Sequence, residues 1–271
     1  MKRIVLTGAA GGVAGQISPL LHQTYPNLVL SDRVLPRTVA PGVPFVQADL
    51  TDLSAMEKLL EGADGVIHLG GYSVEGPWET IQDANITGFY NTIEAAHRQG
   101  VERFVFASSN HAVGFYPRAK TIGVDERVRP DSRYGVSKAF GEALGSLYAD
   151  KFGLRVLNIR IGNVAEKPAD LRRLAIWIHP DDLVQLIRIG LEHPELRNEI
   201  VYGASDNARA WWDNASATRL GYAPRHRSED HVAYALAEQE RLPPDPVGDR
   251  LQGGSFSSAE YVAQPKEPSE S

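Results

Sequence analysis

The first two-thirds of this 271-residue chain alternate between short apolar runs and longer stretches with helical periodicity. Several of the short runs are apolar on both faces, which is typical of strands inside a parallel sheet covered by helices. The predicted strands span residues 3–6, 28–31, 44–47, 65–69, 103–107 and 155–161. The predicted helices between them span residues 14–23, 53–60, 79–99 and 134–152. This order predicts an α/β fold with a Rossmann-type doubly wound parallel sheet, which binds ligands at the carboxyl ends of its strands.

The alternation breaks after residue 161, and the rest of the chain is predicted to form a small C-terminal lobe that covers the substrate. We expect an irregular segment at 168–173, a helix at 180–191, a strand at 200–203 and short helices at 211–220 and 228–240. The tail from Pro243 is rich in proline, glycine and serine, so we expect it to wrap the surface, with a frayed end at 266–271. The predicted division is a dinucleotide-binding core with the catalytic residues, 1–163, and an interleaved lobe with the tail, 164–271, in a single structural unit.

A glycine-rich turn follows the first predicted strand and opens the first predicted helix. It reads TGAAGGVAG over residues 7–15. Gly8 and Gly11 allow a tight turn and let backbone N–H groups approach a pyrophosphate at the helix N-terminus. The turn therefore predicts a dinucleotide site that includes Gly12 and Val13, with a plain βα turn as the alternative.

An acidic residue, Asp32, ends the second predicted strand, roughly 20 residues past the glycines. A carboxylate there accepts hydrogen bonds from the adenosine ribose and repels a 2′-phosphate, so NAD is favoured over NADP. The neighbouring Arg33 could accommodate that phosphate, and a turn-capping role for Asp32 is an alternative. Asp49 and Leu50 follow the third strand, where they could meet the adenine, although an Asx turn explains Asp49 nearly as well.

A tyrosine and a lysine, Tyr134 and Lys138, lie four residues apart on a predicted helix and so share one face. An ammonium held there can lower the pKa of the phenol from its ordinary value near 10, which makes the phenol a usable base for an alcohol. Ser108 and Ser109 follow the fifth strand, and either could hydrogen-bond the reacting oxygen. For His111, which lies beside them, a structural role and a catalytic role are about equally plausible. Together with the glycine turn, these residues predict an oxidoreductase that interconverts alcohols and carbonyls.

Two further motifs lie in the C-terminal third. Arg172 and Arg173 fall in the predicted irregular segment after the sixth strand, where a guanidinium could hold a substrate carboxylate bidentately. Solvent-exposed arginines are the alternative. Trp211 and Trp212 are expected to anchor a helix to a core or an interface.

These residues resemble the extended short-chain dehydrogenase/reductases, and within them the uronate dehydrogenase family, over nearly the whole chain. The tyrosine–lysine motif marks only the superfamily. The runs HLGGYSVE at 68–75, FASSNH at 106–111, GAS at 203–205, WWDN at 211–214 and QGGSF at 252–256 carry the rest of the resemblance, and the SSNH run, the tryptophan pair and the GGSF segment are far more specific. The resemblance implies NAD-dependent oxidation of a cyclic hexuronic acid, glucuronate or galacturonate, at C1 to an aldarolactone.

The resemblance also implies the roles of the reacting residues. Tyr134 is the base, Lys138 is its electrostatic partner and a ligand of the nicotinamide ribose, and Ser109 supports the reacting oxygen. The cofactor contacts implied in addition to the residues above are Leu69, Gly70, Gly71 and Asn85.

The substrate contacts are implied in the same way. Ser73, Asn110 and His111 match contacts to sugar hydroxyls, Arg172 matches the residue that holds the C6 carboxylate, and Phe256 matches the one that closes the pocket. Asn163 departs from the pattern, since a serine is expected there, so substrate preference or affinity is expected to differ.

Composition narrows the partners. A formal net charge of −6 argues mildly against nucleic acid or an anionic membrane. The absence of cysteine excludes disulfides, thiolate metal sites and thiol catalysis. No apolar run approaches the roughly 20 residues that span a bilayer. We therefore expect a cytoplasmic protein, and the resemblance implies a small-molecule uronate substrate, chemistry without a metal, and a homo-oligomer.

Two other functions fit the same motifs. A nucleotide-sugar epimerase or dehydratase shares the fold, the cofactor and the tyrosine–lysine pair. Such enzymes usually have a larger C-terminal domain than the about 110 residues that follow Ile161. A non-catalytic NAD-binding regulatory protein could dispense with Tyr134 or Lys138, and this chain has both.

Overall fold

The computed structural model of the protein describes residues 2–262, and its centre is a parallel sheet. The strands of this part of the chain are β1 (Arg3–Thr7), β2 (Asn27–Asp32), β3 (Phe45–Gln47), β4 (Gly65–His68), β5 (Arg103–Ser109), β6 (Arg155–Ile161), β7 (Asn163–Val164), β8 (Trp177–Ile178) and β9 (Asn198–Gly203). Seven of them form one sheet in the order β3-β2-β1-β4-β5-β6-β9, and every neighbouring pair is parallel. The predicted doubly wound fold is confirmed.

Helices cover both faces of this sheet. The helices of the described residues are α1 (Gly12–Thr24), α2 (Leu53–Leu60), α3 (Trp78–Ile81), α4 (Gly88–Arg98), α5 (Arg133–Phe152), α6 (Leu171–Ile176), α7 (Pro180–Glu192), α8 (Ala215–Arg219), α9 (Val232–Gln239) and α10 (Ser255–Ser258), and not all of them contact the sheet. Successive residues of β1 point to opposite faces, so Ile4 and Leu6 pack with α1 and α7, while Val5 packs with α2 and α4. Because each buried aliphatic side chain contributes about 1.5–3 kcal/mol, the two apolar layers hold the sheet rigidly.

The predicted helix 79–99 is continuous but irregular. Between α3 and α4 the chain forms a π-helical segment, Gln82–Thr87, which carries Asn85. Its wider turns break the even periodicity that the sequence pattern suggested, and π segments of this kind are common near functional sites.

The prediction of an irregular segment at 168–173 is confirmed for residues 168–170 and wrong for 171–173, where α6 begins. The Asp170 side chain accepts a hydrogen bond from the backbone N–H of Arg173 at 2.7 Å and so caps α6, which carries both arginines.

The prediction of a helix over 211–220 is wrong for its first four residues, since α8 begins at Ala215. Trp212 instead forms a β-bridge with Ile122 and stacks on Tyr202 with 4.7 Å between ring centroids. Packing of the two large rings thus outweighs the local helical preference. The later prediction, 228–240, is confirmed as a 3₁₀ turn, Ser228–His231, followed by α9.

The tail does more than wrap the surface. Gln252 is fully buried, and Gly253 donates from its backbone to the carbonyl of Gly114 at 2.9 Å. The tail therefore enters the molecule beside the end of β5. The predicted frayed end, 266–271, lies outside the described residues. Within residues 2–262, no helix has the length and apolarity needed to cross a membrane.

Candidate active site

The glycine turn after β1 packs against the turn after β4. Gly8 has a φ of +76°, and a Cβ there would lie 2.6 Å from the backbone nitrogen of Gly70. Gly11 is the N-cap of α1 and offers no side-chain cap, so the first N–H groups of the helix lack a side-chain partner. A Cβ on Gly12 would meet nothing within 4 Å. The turn therefore presents backbone donors and open space, which fits the pyrophosphate of a dinucleotide.

A cleft of about 540 Å³ opens above this turn. Its walls bring together most of the predicted cofactor residues. They are Gly8, Gly11, Gly12, Val13, Asp32, Arg33, Asp49, Leu50, Leu69, Gly70 and Gly71, and the predicted substrate residue Ser73 also lines the cleft. The volume and the lining suit a dinucleotide in an extended conformation.

The acidic residues of the cleft also shape its backbone. Asp32 accepts hydrogen bonds from the N–H groups of Ala10 at 3.0 Å and Val34 at 3.3 Å. Asp49 accepts from both the N–H and the hydroxyl of Thr51 at 2.9 Å, and these bonds lower the pKa of its carboxyl. The structural roles that were the alternatives for Asp32 and Asp49, a turn cap and an Asx turn, are therefore both present. Both residues also line the cleft, so these roles do not exclude a contact with the cofactor.

Asn85 lies behind the cleft wall. Its amide oxygen accepts from the N–H of Tyr72 at 2.6 Å, and its nitrogen donates to the carbonyl of Tyr72 at 3.0 Å and to the hydroxyl of Ser137 at 2.9 Å. These bonds hold the turn at Gly71, whose φ is +127°. In this geometry Asn85 shapes the turn, and its amide is already engaged by the protein.

Tyr134 and Lys138 are both buried on the face of α5 that meets the end of β5. The Lys138 ammonium donates to the carbonyl of Ala107 at 2.8 Å and lies 5.3 Å from the centroid of the Tyr134 ring. Burial raises the pKa of Tyr134 to about 12, against the lowering effect of its hydrogen bond with Ser109. Burial also lowers the pKa of Lys138 to about 8, against the raising effect of Glu142.

The expectation that the ammonium lowers the phenol pKa is therefore not met in this structure. Desolvation of the Tyr134 phenol dominates, because the ring is almost completely enclosed. The ammonium of Lys138 is directed at a backbone carbonyl.

The two serines after β5 have different partners. The Ser108 hydroxyl donates to Glu142 at 2.5 Å, and the same carboxylate forms a buried ion pair with Arg160 at 2.9 Å. The Ser109 hydroxyl accepts from the N–H of His111 at 3.2 Å and interacts with the phenol of Tyr134. Ser109 is thus the serine that can support the reacting oxygen.

Arg172 contacts the C-terminal tail and the segment that follows β5. Its Nε donates to the carbonyl of Gln252 at 2.9 Å, and its Nη2 lies 3.1 Å from the side-chain oxygen of Asn110 when that amide donates to the carbonyl of Ile161. Burial lowers the pKa of Arg172 to about 10. In contrast to Arg173, which pairs with Asp170, it forms no ion pair with a carboxylate of residues 2–262.

Three aromatic rings, including that of Tyr134, pack together next to Ser109 and Asn110 in this part of the fold. The rings of His111 and Phe256 stack with centroids 3.9 Å apart, and the Tyr134 centroid lies 5.8 Å from that of His111. Phe256 comes from α10, which the sequence pattern did not predict as a helix. Asn163 stands in β7, next to the end of β6.

Three residues of the site were missed by sequence reasoning. Glu75 accepts from the N–H of Tyr134 at 3.0 Å, Asp131 binds the His111 ring at 2.8 Å, and the Gln252 amide oxygen accepts from the Trp212 indole at 3.0 Å. Glu75 and Gln252 are part of, or next to, the specific runs at 68–75 and 253–256. Asp131 carried no local signal, because its partner is 20 residues away in the chain.

A separate group of ionisable side chains, His179, Asp181 and His226, lies at the start of α7. The two imidazole rings are stacked with centroids 3.5 Å apart and planes only 16° apart. A metal ion lies about 2.0–2.1 Å from an imidazole nitrogen, in the plane of the ring. Two parallel rings at this spacing cannot direct both lone pairs at one ion, so this group is not arranged as a metal site.

Comparison with known proteins gives a consistent result. The family described as "NAD dependent epimerase/dehydratase family" matches residues 4–168. A uronate dehydrogenase of Pseudomonas putida is 43% identical over 95% of this chain and 96% of its own length. A solved glucuronic acid dehydrogenase from Chromohalobacter salexigens is 44% identical, with a TM-score of 0.91 over 95% of this chain and 97% of that one. A uronate dehydrogenase mutant from Agrobacterium tumefaciens, solved in complex with NAD, is 41% identical with a TM-score of 0.90, over the same 95% and 97%.

Proposed function

This chain belongs to the NAD dependent epimerase/dehydratase family, and from that membership and the geometry of the site we propose that it works as an NAD-dependent uronate dehydrogenase. It oxidises cyclic hexuronic acids, D-glucuronate and D-galacturonate, at C1 to aldarolactones, with hydride transfer to NAD. The similarity to uronate and glucuronic acid dehydrogenases over 95% of the chain supports this function over an epimerase, a dehydratase or a regulatory protein.

The observation that carries the substrate class is the unpaired guanidinium of Arg172. Its Nε and Nη2 are oriented by Gln252 and Asn110, and no carboxylate of the described chain forms an ion pair with it. A partly buried cation without a paired counter-ion is costly, and an anionic substrate removes that cost. Since a guanidinium binds a carboxylate in a bidentate manner, a uronate C6 carboxylate suits this position.

The chemistry follows from three buried side chains. Tyr134, once ionised to the phenolate, takes the proton of the anomeric hydroxyl, the Ser109 hydroxyl supports the reacting oxygen, and the Lys138 ammonium adds positive charge near the Tyr134 ring. When bound, NAD supplies the hydride acceptor and a cationic ring. Burial raises the pKa of Tyr134 to about 12. The phenol therefore becomes an effective base only when positive charge lies close to it.

The remaining substrate contacts are assigned on their positions around this centre. Phe256 packs on His111 and excludes water from one side of the site. The proposed set of substrate residues is Ser73, Ser109, Asn110, His111, Tyr134, Asn163, Arg172 and Phe256.

The proposed cofactor residues are those that line the cleft, together with Lys138, Tyr134 and, through the turn it holds, Asn85. Asp32 is exposed to the cleft beyond the glycine turn and favours NAD over NADP by charge. In this assignment residues 1–163 bind the cofactor and carry the catalysis, and residues 164–271 complete the substrate side.

We also propose that the protein is a homo-oligomer that works in the cytoplasm. The outer surface of α5 exposes Val136 and Leu147, and α4 exposes Tyr90. These apolar side chains suit helix packing between two copies. The molar mass in solution, compared between the native protein and Leu147→Glu, tests this part: a monomeric native protein would contradict it.

The direct test of the function is NADH formation with a panel of substrates. We expect absorbance of the reduced cofactor to rise with glucuronate and galacturonate and NAD, and to rise much less with NADP. Conversion of a nucleotide sugar without net NADH formation would favour an epimerase or dehydratase. Tight NAD binding with no turnover of any sugar would favour a regulatory protein.

A further inference from the structure

The carboxylate of Asp131 is fully enclosed, with 0% of its side chain exposed. It accepts hydrogen bonds from Nδ1 of His111 at 2.8 Å and from the hydroxyl of Ser132 at 2.8 Å. Within residues 2–262 no arginine or lysine pairs with it. Burying a carboxylate without a permanent cation is costly, so the 2.8 Å contact with His111, its nearest ionisable partner, offsets part of this cost.

This contact determines which nitrogen of His111 carries a proton. A neutral imidazole has one N–H, and a carboxylate at hydrogen-bond distance from Nδ1 holds the proton there. Nε2 is then left as a hydrogen-bond acceptor. None of the hydrogen bonds among the described residues engages Nε2, and the His111 side chain keeps 11% exposure.

The ring of His111 is also fixed in orientation. Phe256 stacks on it at 3.9 Å and Tyr134 lies against it at 5.8 Å between centroids. The ring that carries the acceptor nitrogen is thus held against the ring of Tyr134, the proposed base.

Asp131 also joins this ring to the tail. The Ser257 hydroxyl lies 3.5 Å from its carboxylate, and the backbones of Gly114 and Gly253 approach it so closely that neither position has room for a Cβ. The tail carries both Phe256 and the carbonyl of Gln252 that binds Arg172. The carboxylate therefore stands between the His111 ring and the wall that bears the tail residues.

We propose that Asp131 is a positioning residue for this reaction: it fixes the orientation and the tautomer of His111 so that Nε2 accepts a hydrogen bond from a hydroxyl of the bound uronate. The kinetic part rests on the proposed function. The tautomer itself is a property of the protein without substrate.

The first test is the ¹⁵N spectrum of the histidines in the substrate-free protein, assigned with His111→Gln. We expect Nδ1 of His111 to be protonated and Nε2 to be unprotonated in the native protein. Asp131→Asn should invert or mix the two forms, because an asparagine amide can donate to Nδ1. A native protein with the proton on Nε2 overturns the proposal, and this result does not depend on turnover.

The second test is a double-mutant cycle with glucuronate. Asp131→Asn should lower kcat/KM by about 10–100-fold, the range seen when the partner that orients a metal-bound histidine is removed. In the His111→Gln background the same substitution should have little further effect. Asp230→Asn, at an exposed carboxylate in the 3₁₀ turn 228–231, serves as the charge control and should leave kcat/KM unchanged. Losses that multiply in the double variant would show a purely structural role for Asp131 and overturn the proposal, whereas absence of uronate turnover in the native protein would refute the proposed function alone.

Discussion

The proposed cofactor cleft and the proposed substrate wall, which contains Asn110, His111, Asp131 and Arg172, are made in different ways. The cleft consists of backbone turns at the ends of adjacent strands, and glycine occurs at Gly8, Gly11, Gly12, Gly70 and Gly71. The substrate wall consists of buried polar side chains that hold one another, such as Asn110 with Arg172 and Asp131 with His111. Its parts come from segments far apart in the chain.

Under the proposed function, this difference gives the two halves different sources of binding energy. Backbone donors at a helix start carry no net charge and need no partner inside the protein, so the cleft can stand open. A partly buried guanidinium such as that of Arg172 loses solvation, and its hydrogen bonds to Gln252 and Asn110 keep it oriented. The substrate wall is therefore preorganised to bind a charged group, and the cleft is preorganised to fit the shape of its ligand.

Loss of the Tyr134 hydroxyl should remove nearly all catalysis without affecting the cleft or the substrate wall. Its effect on activity should be the largest of those predicted. Tyr134→Phe should lower kcat by about 10³-fold, which is in the range expected for the loss of a general base. The neighbouring His111 packs edge-on against the Tyr134 ring, so we do not expect it to take over this role. NAD affinity, measured by calorimetry, should stay close to that of the native protein. Near-native turnover would transfer the role of base to another group.

Two glycines of the same turn should respond differently to an added methyl group. Gly8→Ala should destabilise the turn, because φ is +76° and the new Cβ would lie 2.6 Å from the backbone of Gly70, so we expect about a 100-fold loss of NAD affinity and a lower melting temperature. Gly12→Ala should keep the melting temperature, since nothing lies within 4 Å, and weaken NAD binding only by intruding into the cleft. Equal melting temperatures for the two variants would contradict this account of the cleft.

The burial of Lys138 should appear as a smaller, pH-dependent effect on stability. Its folded pKa of about 8 lies below the ordinary 10.5, so the unfolded chain binds more protons between these values, and the contribution of Lys138 to stability rises with pH through that window. Lys138→Met removes this dependence. The free energy of unfolding of the native protein relative to the variant should increase from about pH 8 to about pH 10.5, by at most about 3 kcal/mol. A difference that is constant with pH would show that the ammonium is not desolvated.

The two halves also differ in how far they could be predicted from the sequence. The glycine turn and the pair Tyr134 and Lys138 were predictable, because short spacings fix their geometry on one turn and one helix face. The extended conformation of Trp212 was not, because it depends on Tyr202 and Gln252 from elsewhere in the chain.

The electrostatics of the site were equally hidden in the sequence. The spacing of Tyr134 and Lys138 suggested a lowered phenol pKa, and burial reverses it, because desolvation depends on every element packed around the ring. The role of Asp131 was not predictable either, since nothing near it in the sequence indicates its contact with His111.

The central claim is that Arg172 binds the carboxylate of a uronate. The most direct test removes the Arg172 guanidinium and the substrate carboxylate separately and together. The measurement is kcat/KM for glucuronate and for glucose, which lacks the carboxylate, in the native protein and in Arg172→Met, with Arg173→Met as the matched control because Arg173 is already paired with Asp170. We predict that Arg172→Met lowers the ratio of glucuronate to glucose by about tenfold or more, as expected for a lost charge-assisted hydrogen bond, and that Arg173→Met leaves the ratio unchanged. An equal loss for both sugars in Arg172→Met would contradict the assignment of this wall to a uronate carboxylate.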